Sequence, residues 1–209
     1  ANTVTNTGAS AALMFNSFVR GGVTTRNNIF QNNLGASAGS ANAYSVVVGS
    51  NFQIFTLSDN NNYFVGATNA VNRLAARNAA ATPTFITNLA AMRSYTLMDT
   101  QSINFVVPFV TDTNLILPNG TATAVYGSAQ PLTNVTNDIL GNPRSFVFPS
   151  IGANDFIGTY PDSVAPLVYN YTSNLGCSNG RYTIRMRVIE SNVVSDTLYY
   201  RINGGAEIP

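Results

Sequence analysis

The chain is 209 residues long, with ten Arg, no Lys, nine acidic residues, no His and a net charge of +1. That length supports one domain, or two small ones, around a real core. The charge total excludes a general attractive field for nucleic acid or an anionic membrane. The missing residue types exclude a Ser-His-Asp triad, a Cys-His pair, histidine metal ligation, a lysine Schiff base and a P-loop lysine.

Uncharged polar residues fill the space that charge usually takes: 28 Asn, 22 Thr and 17 Ser. Hydrophobic residues make up 45% of the chain and charged residues 9%, so it lacks the low hydrophobicity and high charge of a disordered segment. Few surface groups titrate near neutral pH. A net charge near zero favours association. Cys177 is the lone cysteine, so no intramolecular disulfide exists.

In chain order, residues 1–43 read as an extended N-terminal arm rich in Asn, Ala, Gly and Ser. One apolar knot, Leu13-Met14-Phe15 with Phe18 and Val19, interrupts it, and Val4 lies upstream. Such an arm can add a strand to a neighbouring subunit or line a shell. Residues 44–209 read as the folded domain. Tyr44 to Val48 and Phe52 to Leu57 are β-branched and aromatic, as strands are, and Ser58 to Asn62 is a loop.

Two short helices are expected next. Thr68 can cap one with Val71, Leu74 and Ala75 on a single face. Thr82-Pro83 can start another with Phe85, Ile86, Leu89 and Ala90 buried.

Beyond residue 95 the pattern is β. Strands are expected at 102–110, 114–117, 121–126 and 145–148, with a hairpin turn at Pro118-Asn119-Gly120. Pro108 suggests an edge or a bulge. Leu167 to Tyr171 follows, and then Arg181 to Ile189, which alternates cleanly and pairs naturally with Thr197 to Ile202. About nine short strands with turns between them predict a mainly β chain, an antiparallel β-sandwich or jelly roll with one or two inserted helices. No repeat of 20–50 residues is evident, which disfavours a solenoid.

Candidate sites are sparse. Arg181, Arg185, Arg187 and Arg201 form a basic face suited to an anion or to an acidic patch on a neighbour. Asp59, Asp112 and Asp155 lie in oxygen-rich loops that could hold a structural calcium, although the EF-hand spacing is absent. No other cofactor is indicated. Asn119, Asn134 and Asn170 head glycosylation sequons, at a frequency chance alone explains. Tyr160, Tyr169, Tyr171, Tyr199 and Tyr200 offer aromatic faces to a sugar. The carboxylates sit mostly in turns, where Asp serves the backbone, so no catalytic pair stands out and an enzyme is not expected.

No stretch is long and apolar enough for a membrane span. Ala1 fits removal of either a signal peptide or an initiator Met. The leading expectation is a self-assembling structural subunit of an extracellular filament, pilus or surface layer, polymerising by strand addition of the arm. Its partners are copies of itself. A virus coat protein with a jelly roll, found in the virion and bound to nucleic acid, is the alternative. A secreted carbohydrate-binding module is the third reading.

Overall fold

A computed structural model describes residues 9–34, 42–49, 52–67, 70–77, 83–111, 113–161, 167–170 and 186–189. The chain divides into two compact units, residues 1–160 and 161–209. It is mainly β with few helices.

In the first unit, eight strands are arranged as a coil. The first turn of the coil holds β1 (Ser10–Phe15), β2 (Val23–Arg26) and β3 (Ile29–Asn32). The second holds β4 (Asn42–Val48), β5 (Phe55–Asp59) and β6 (Asn62–Val65). The third begins with β7 (Val71–Arg77), against which β8 (Thr84–Ile86) folds back. β1 pairs with β4, β2 with β5, β3 with β6 and β4 with β7, all in parallel. Ser10 lies opposite Ala43, Thr25 opposite Ser58 and Asn32 opposite Val65, a constant offset of 33 positions. A register shift between Val23 and Thr24 absorbs the one irregularity.

These pairings correct two expectations. The antiparallel sandwich does not describe residues 10–77: of the described ladders, only β7–β8 and that of the second unit are antiparallel. Residues 10–65 instead form two successive three-strand circuits paired in parallel. Residues 10–32, read from sequence as part of the arm, supply β1, β2 and β3.

The core lies inside the coil. Val46, Val48, Phe52, Ile54, Phe55, Tyr63, Leu74, Ala75, Ile86 and Met92 form one buried cluster. β4 has neighbours on both edges and is buried from Ala43 to Val48, as a run of β-branched residues in a central parallel strand should be. Ser45 is the polar exception. Its hydroxyl donates within reach of the Phe30 and Phe64 carbonyls, at 2.8 and 3.0 Å, one from the first coil and one from its own.

Both helical expectations change. Residues 71–77 form β7 despite their Leu, Ala and Arg content, because β4 offers a complete ladder and a burial site for Leu74 to Ala76. Tertiary pairing overrides weak local propensity. The Arg73 guanidinium also stacks 3.9 Å over the Phe85 ring and its Nε donates to Asn42 Oδ1. The helix begins later than expected, as α1 (Leu89–Thr96). Asn88 caps it by accepting from the Ala91 N–H, and Leu97 ends it in the left-handed region at φ 56°. α1 buries Met92 completely.

Over residues 100–111 and 113–161 the chain is largely irregular, tied by isolated bridges such as Asn62–Ile103 and Ala122–Thr159. The strands expected at 102–110, 114–117, 121–126 and 145–148 do not form. The turn at Pro118 to Gly120 does, closed by the Thr121 N–H to the Pro118 carbonyl. Its flanks pair elsewhere, so it is no hairpin.

In the second unit, β9 (Leu167–Asn170) pairs antiparallel with β10 (Met186–Ile189), Tyr169 opposite Arg187. The expected partner of residues 181–189, residues 197–202, lies outside the described residues. Among the described residues no helix is long and apolar enough to cross a membrane.

Candidate functional site

Two places in the first unit concentrate unusual chemistry: a polar stack inside the coil and the coil's first turn.

The stack begins at the bends between β2 and β3 and between β5 and β6. Asn27 and Asn60 occupy equivalent positions there, both left-handed at φ 61° and 52°. Asn tolerates that conformation better than most residues. Their side chains turn towards residues 128–130. Asn27 donates to the Gln130 carbonyl and accepts from its N–H, and Asn60 donates to the Ser128 carbonyl. The next residues turn inward. Asn61 accepts twice from Asn28 and donates to the Thr25 carbonyl.

Beneath them lies a carboxylate. Asp99 is fully buried. Its Oδ1 accepts from the hydroxyls of Ser58 (2.9 Å), Tyr63 (3.0 Å) and Ser102 (2.7 Å), while Oδ2 has no hydrogen-bond partner. Thr25 extends the chain of hydroxyls by donating to Ser58. Burial pushes the Tyr63 phenol far above its usual range, and the Asp99 charge adds to this. Hydrogen bonds from Ser58 and Asn61 pull weakly the other way. Arg93 donates to the Asp99 and Ser102 carbonyls and so pins the segment after α1. The cluster could resemble an acid with activated hydroxyls. Every member from Ser58 to Ser102 is buried, however, and Oδ1 is saturated. Its geometry ties the first two coils to the segment after α1.

The first coil differs. Leu13, Phe15, Val19, Val23 and Phe30 pack against the core cluster and are partly buried. The residues opposite them in the second coil, Val46, Val48, Phe55 and Tyr63, are buried. The difference is position alone: no described coil covers the first. β1, β2 and β3 each have one hydrogen-bonded neighbour among the described residues.

Surface clefts carry less. The groove lined by Tyr126, Leu140, Arg144, Asp155 and Phe156 holds about 700 Å³. Its charged groups are committed to backbone: Arg144 donates to the Ser150 and Gly152 carbonyls, and Asp155 accepts from Ser145 and Ser150.

The expected site residues scatter. Of the assembly knot, Leu13, Phe15 and Val19 face the core. Met14 and Phe18 are 68% and 79% exposed. Val4 lies outside the described residues, as do Arg181, Arg185, Arg201, Asp112 and Cys177. Arg187 is placed in β10. Asp59 does not await a cation: it accepts from the Asn60 and Gln101 N–H groups and the Thr100 hydroxyl. Among the described residues no three acidic, His or Cys side chains gather. Asn119 and Asn134 are exposed, and Asn119 accepts from the Ile157 N–H. Asn170 lies in β9. Tyr160 is buried, which removes it from a sugar platform.

Sequence reasoning missed Asn28, Asn61, Asp99 and Ser102. The signal was present as Arg26-Asn27-Asn28 and Asp59-Asn60-Asn61, two bends spaced by 33 residues. Compared with known proteins, the chain matches no family model, no curated sequence and no solved structure.

Proposed function

We propose that this chain is a non-enzymatic structural subunit that assembles with copies of itself by strand pairing, in an extracellular filament or surface layer. The observation that carries the reading is the first coil, whose apolar interior is less buried than that of the second and whose three strands each have one ladder partner among the described residues. Monomers ordinarily protect such edges with Lys, bulges or covering segments, and this chain has no Lys. The near absence of charge supports the same reading, since little repulsion opposes close packing.

The role of the arm changes in one respect. Residues 10–15 already pair with β4, so β1 acts as an edge that receives a strand rather than as a free donor. The coat reading drew on a jelly roll, and the parallel ladders of residues 10–77 lend that no support.

Sedimentation velocity and negative-stain electron microscopy of the full chain at micromolar concentration test the proposal. Species larger than the 22.2 kDa monomer are expected, with little dependence on salt. Monomers throughout would overturn it. Closed shells enclosing nucleic acid would replace the filament by the coat.

A further inference from the structure

We infer that a cleft beside the bend between β2 and β3 binds the carboxylate of a small organic acid. The site belongs to the first unit alone and does not depend on assembly.

The cleft holds about 250 Å³ and is lined by Arg26 and Arg144. Local sequence builds it. Arg26 ends β2, and Asn27 then turns the chain in the left-handed region at φ 61°. The Asn27 side chain clasps both the N–H and the carbonyl of Gln130, and its own carbonyl accepts from the Gly152 N–H. The segments around residues 130 and 152 are thereby tied to the bend. The Arg144 N–H adds a further tie by donating to the Thr136 carbonyl.

Charge is the first argument. Two guanidinium groups line this cleft, and among the described residues no carboxylate does. Arg26 is half-buried, yet its guanidinium makes one long hydrogen bond among the described residues, from Nη1 to Gln130 Oε1 at 3.5 Å, and its Nε is buried without a partner. A partly buried cation with unused donors is costly, and an anion beside it offsets that cost. The neighbouring acids are engaged elsewhere. Asp59, opposite Arg26 in the β2–β5 ladder, accepts from Asn60, Thr100 and Gln101. Asp155 lines the adjoining groove and accepts from the Ser145 and Ser150 N–H groups. Arg144 is fixed by the Gly152 and Ser150 carbonyls at 3.0 and 2.6 Å, neutral groups that leave its positive charge uncancelled.

The remaining polar groups offer protons. The Ser145 hydroxyl oxygen already accepts from the Val147 and Phe148 N–H groups, so its O–H is left to donate. Gln130 uses its side-chain oxygen on Arg26 and keeps its NH2. Donors beside two cations select an anion that only accepts, and a planar guanidinium matches a carboxylate. Leu132, Val135 and Phe146 add apolar walls that a bare inorganic anion would leave unused. The volume suits a body of about one ring, since an apolar cavity of about 150 Å³ takes benzene.

Benzoate, acetate and the neutral isostere benzamide test the site, by calorimetric titration and ligand-observed NMR on the full chain. Benzoate should bind in the millimolar range, as a ligand so small allows. It should bind at least about fivefold tighter than acetate and about tenfold tighter than benzamide. Arg26→Gln should weaken benzoate at least about tenfold, while Arg20→Gln, at an exposed arginine outside the cleft, should bind like the parent. Ser145→Asp keeps an acceptor for the Val147 and Phe148 N–H groups but sets a carboxylate at the cleft, and it should abolish binding even where Arg26→Gln fails to fold. Far-UV circular dichroism and melting curves matched to the parent certify each variant. No benzoate binding, benzamide binding as tightly as benzoate, or unchanged binding in folded Arg26→Gln or Ser145→Asp would overturn the site. Acetate equal to benzoate would overturn the organic acid as its ligand.

Discussion

The Oδ1 atom of Asn61 accepts from both the backbone N–H and the side-chain Nδ2 of Asn28, at 3.0 and 3.2 Å. The two residues belong to successive coils, and no strand ladder joins them. A side-chain amide therefore continues the hydrogen bonding of the sheets around the bend, where the backbone turns away from its neighbour. Asn suits the task because it both donates and accepts, and its companions Asn27 and Asn60 adopt the left-handed backbone that the bend requires.

Removing that amide should be costly. Asn61→Ala removes the acceptor of the Asn28 N–H and the donor to the Thr25 carbonyl, at a position that is itself fully buried. Each unsatisfied buried group costs about 1–3 kcal/mol, so the variant should lose roughly 2–4 kcal/mol of stability. Urea unfolding of both proteins checks this. A midpoint equal to the parent's would mean that the amide stack contributes nothing.

The bend after β1 makes a different demand. A Cβ on Gly49 would sit 2.6 Å from the Ser17 nitrogen and 2.8 Å from the Asn16 carbonyl carbon. Those are backbone atoms of the adjacent coil, held by the Gly49 N–H to the Phe15 carbonyl at 2.7 Å. Gly49→Ala should separate the coils there and destabilise by about 1–3 kcal/mol. Gly21 has nothing within 4 Å of its virtual Cβ, so Gly21→Ala should change stability by less than about 0.5 kcal/mol. Equal melting temperatures for the two variants would refute the close approach.

Acid should weaken the fold partly through Asp138. Burial pushes its carboxyl pKa up, but N–H donors from Asn142, Asp155 and Leu140 outweigh that and hold it below the ordinary 3.8. A folded pKa below the unfolded one contributes stability above 3.8, and that contribution is lost as pH falls through the lower folded value. Asp138→Asn should therefore flatten the fall in melting temperature on acidification. The same acid slope in parent and variant would remove Asp138 from the account.

Much of the local structure was legible. The runs Tyr44 to Val48 and Leu167 to Tyr171 coincide closely with β4 and β9, because β-branched and aromatic side chains suit a packed, pleated surface. The turn at Asn119-Gly120 was legible for its positive φ of 87° at Gly120. β7 was not. Val71, Leu74 and Ala75 fit a helical face as well as a strand, and only the ladder offered by β4 decides between them. Nor was the polar stack, since Asp99 looks like one more Asp in a turn until the coil places Ser58, Tyr63 and Ser102 around it.

The residue content and short-range pattern alone determined a mainly β, nearly uncharged chain without His or Lys. Which strands become neighbours was decided only in three dimensions. β1 and β3 find their partners 33 residues away, and β4 finds β7 29 residues away, after the chain has closed a full circuit. Alternation along a strand reads the same whether that partner runs parallel or antiparallel. Burial of a shared core, summed over whole coils, selects the partner.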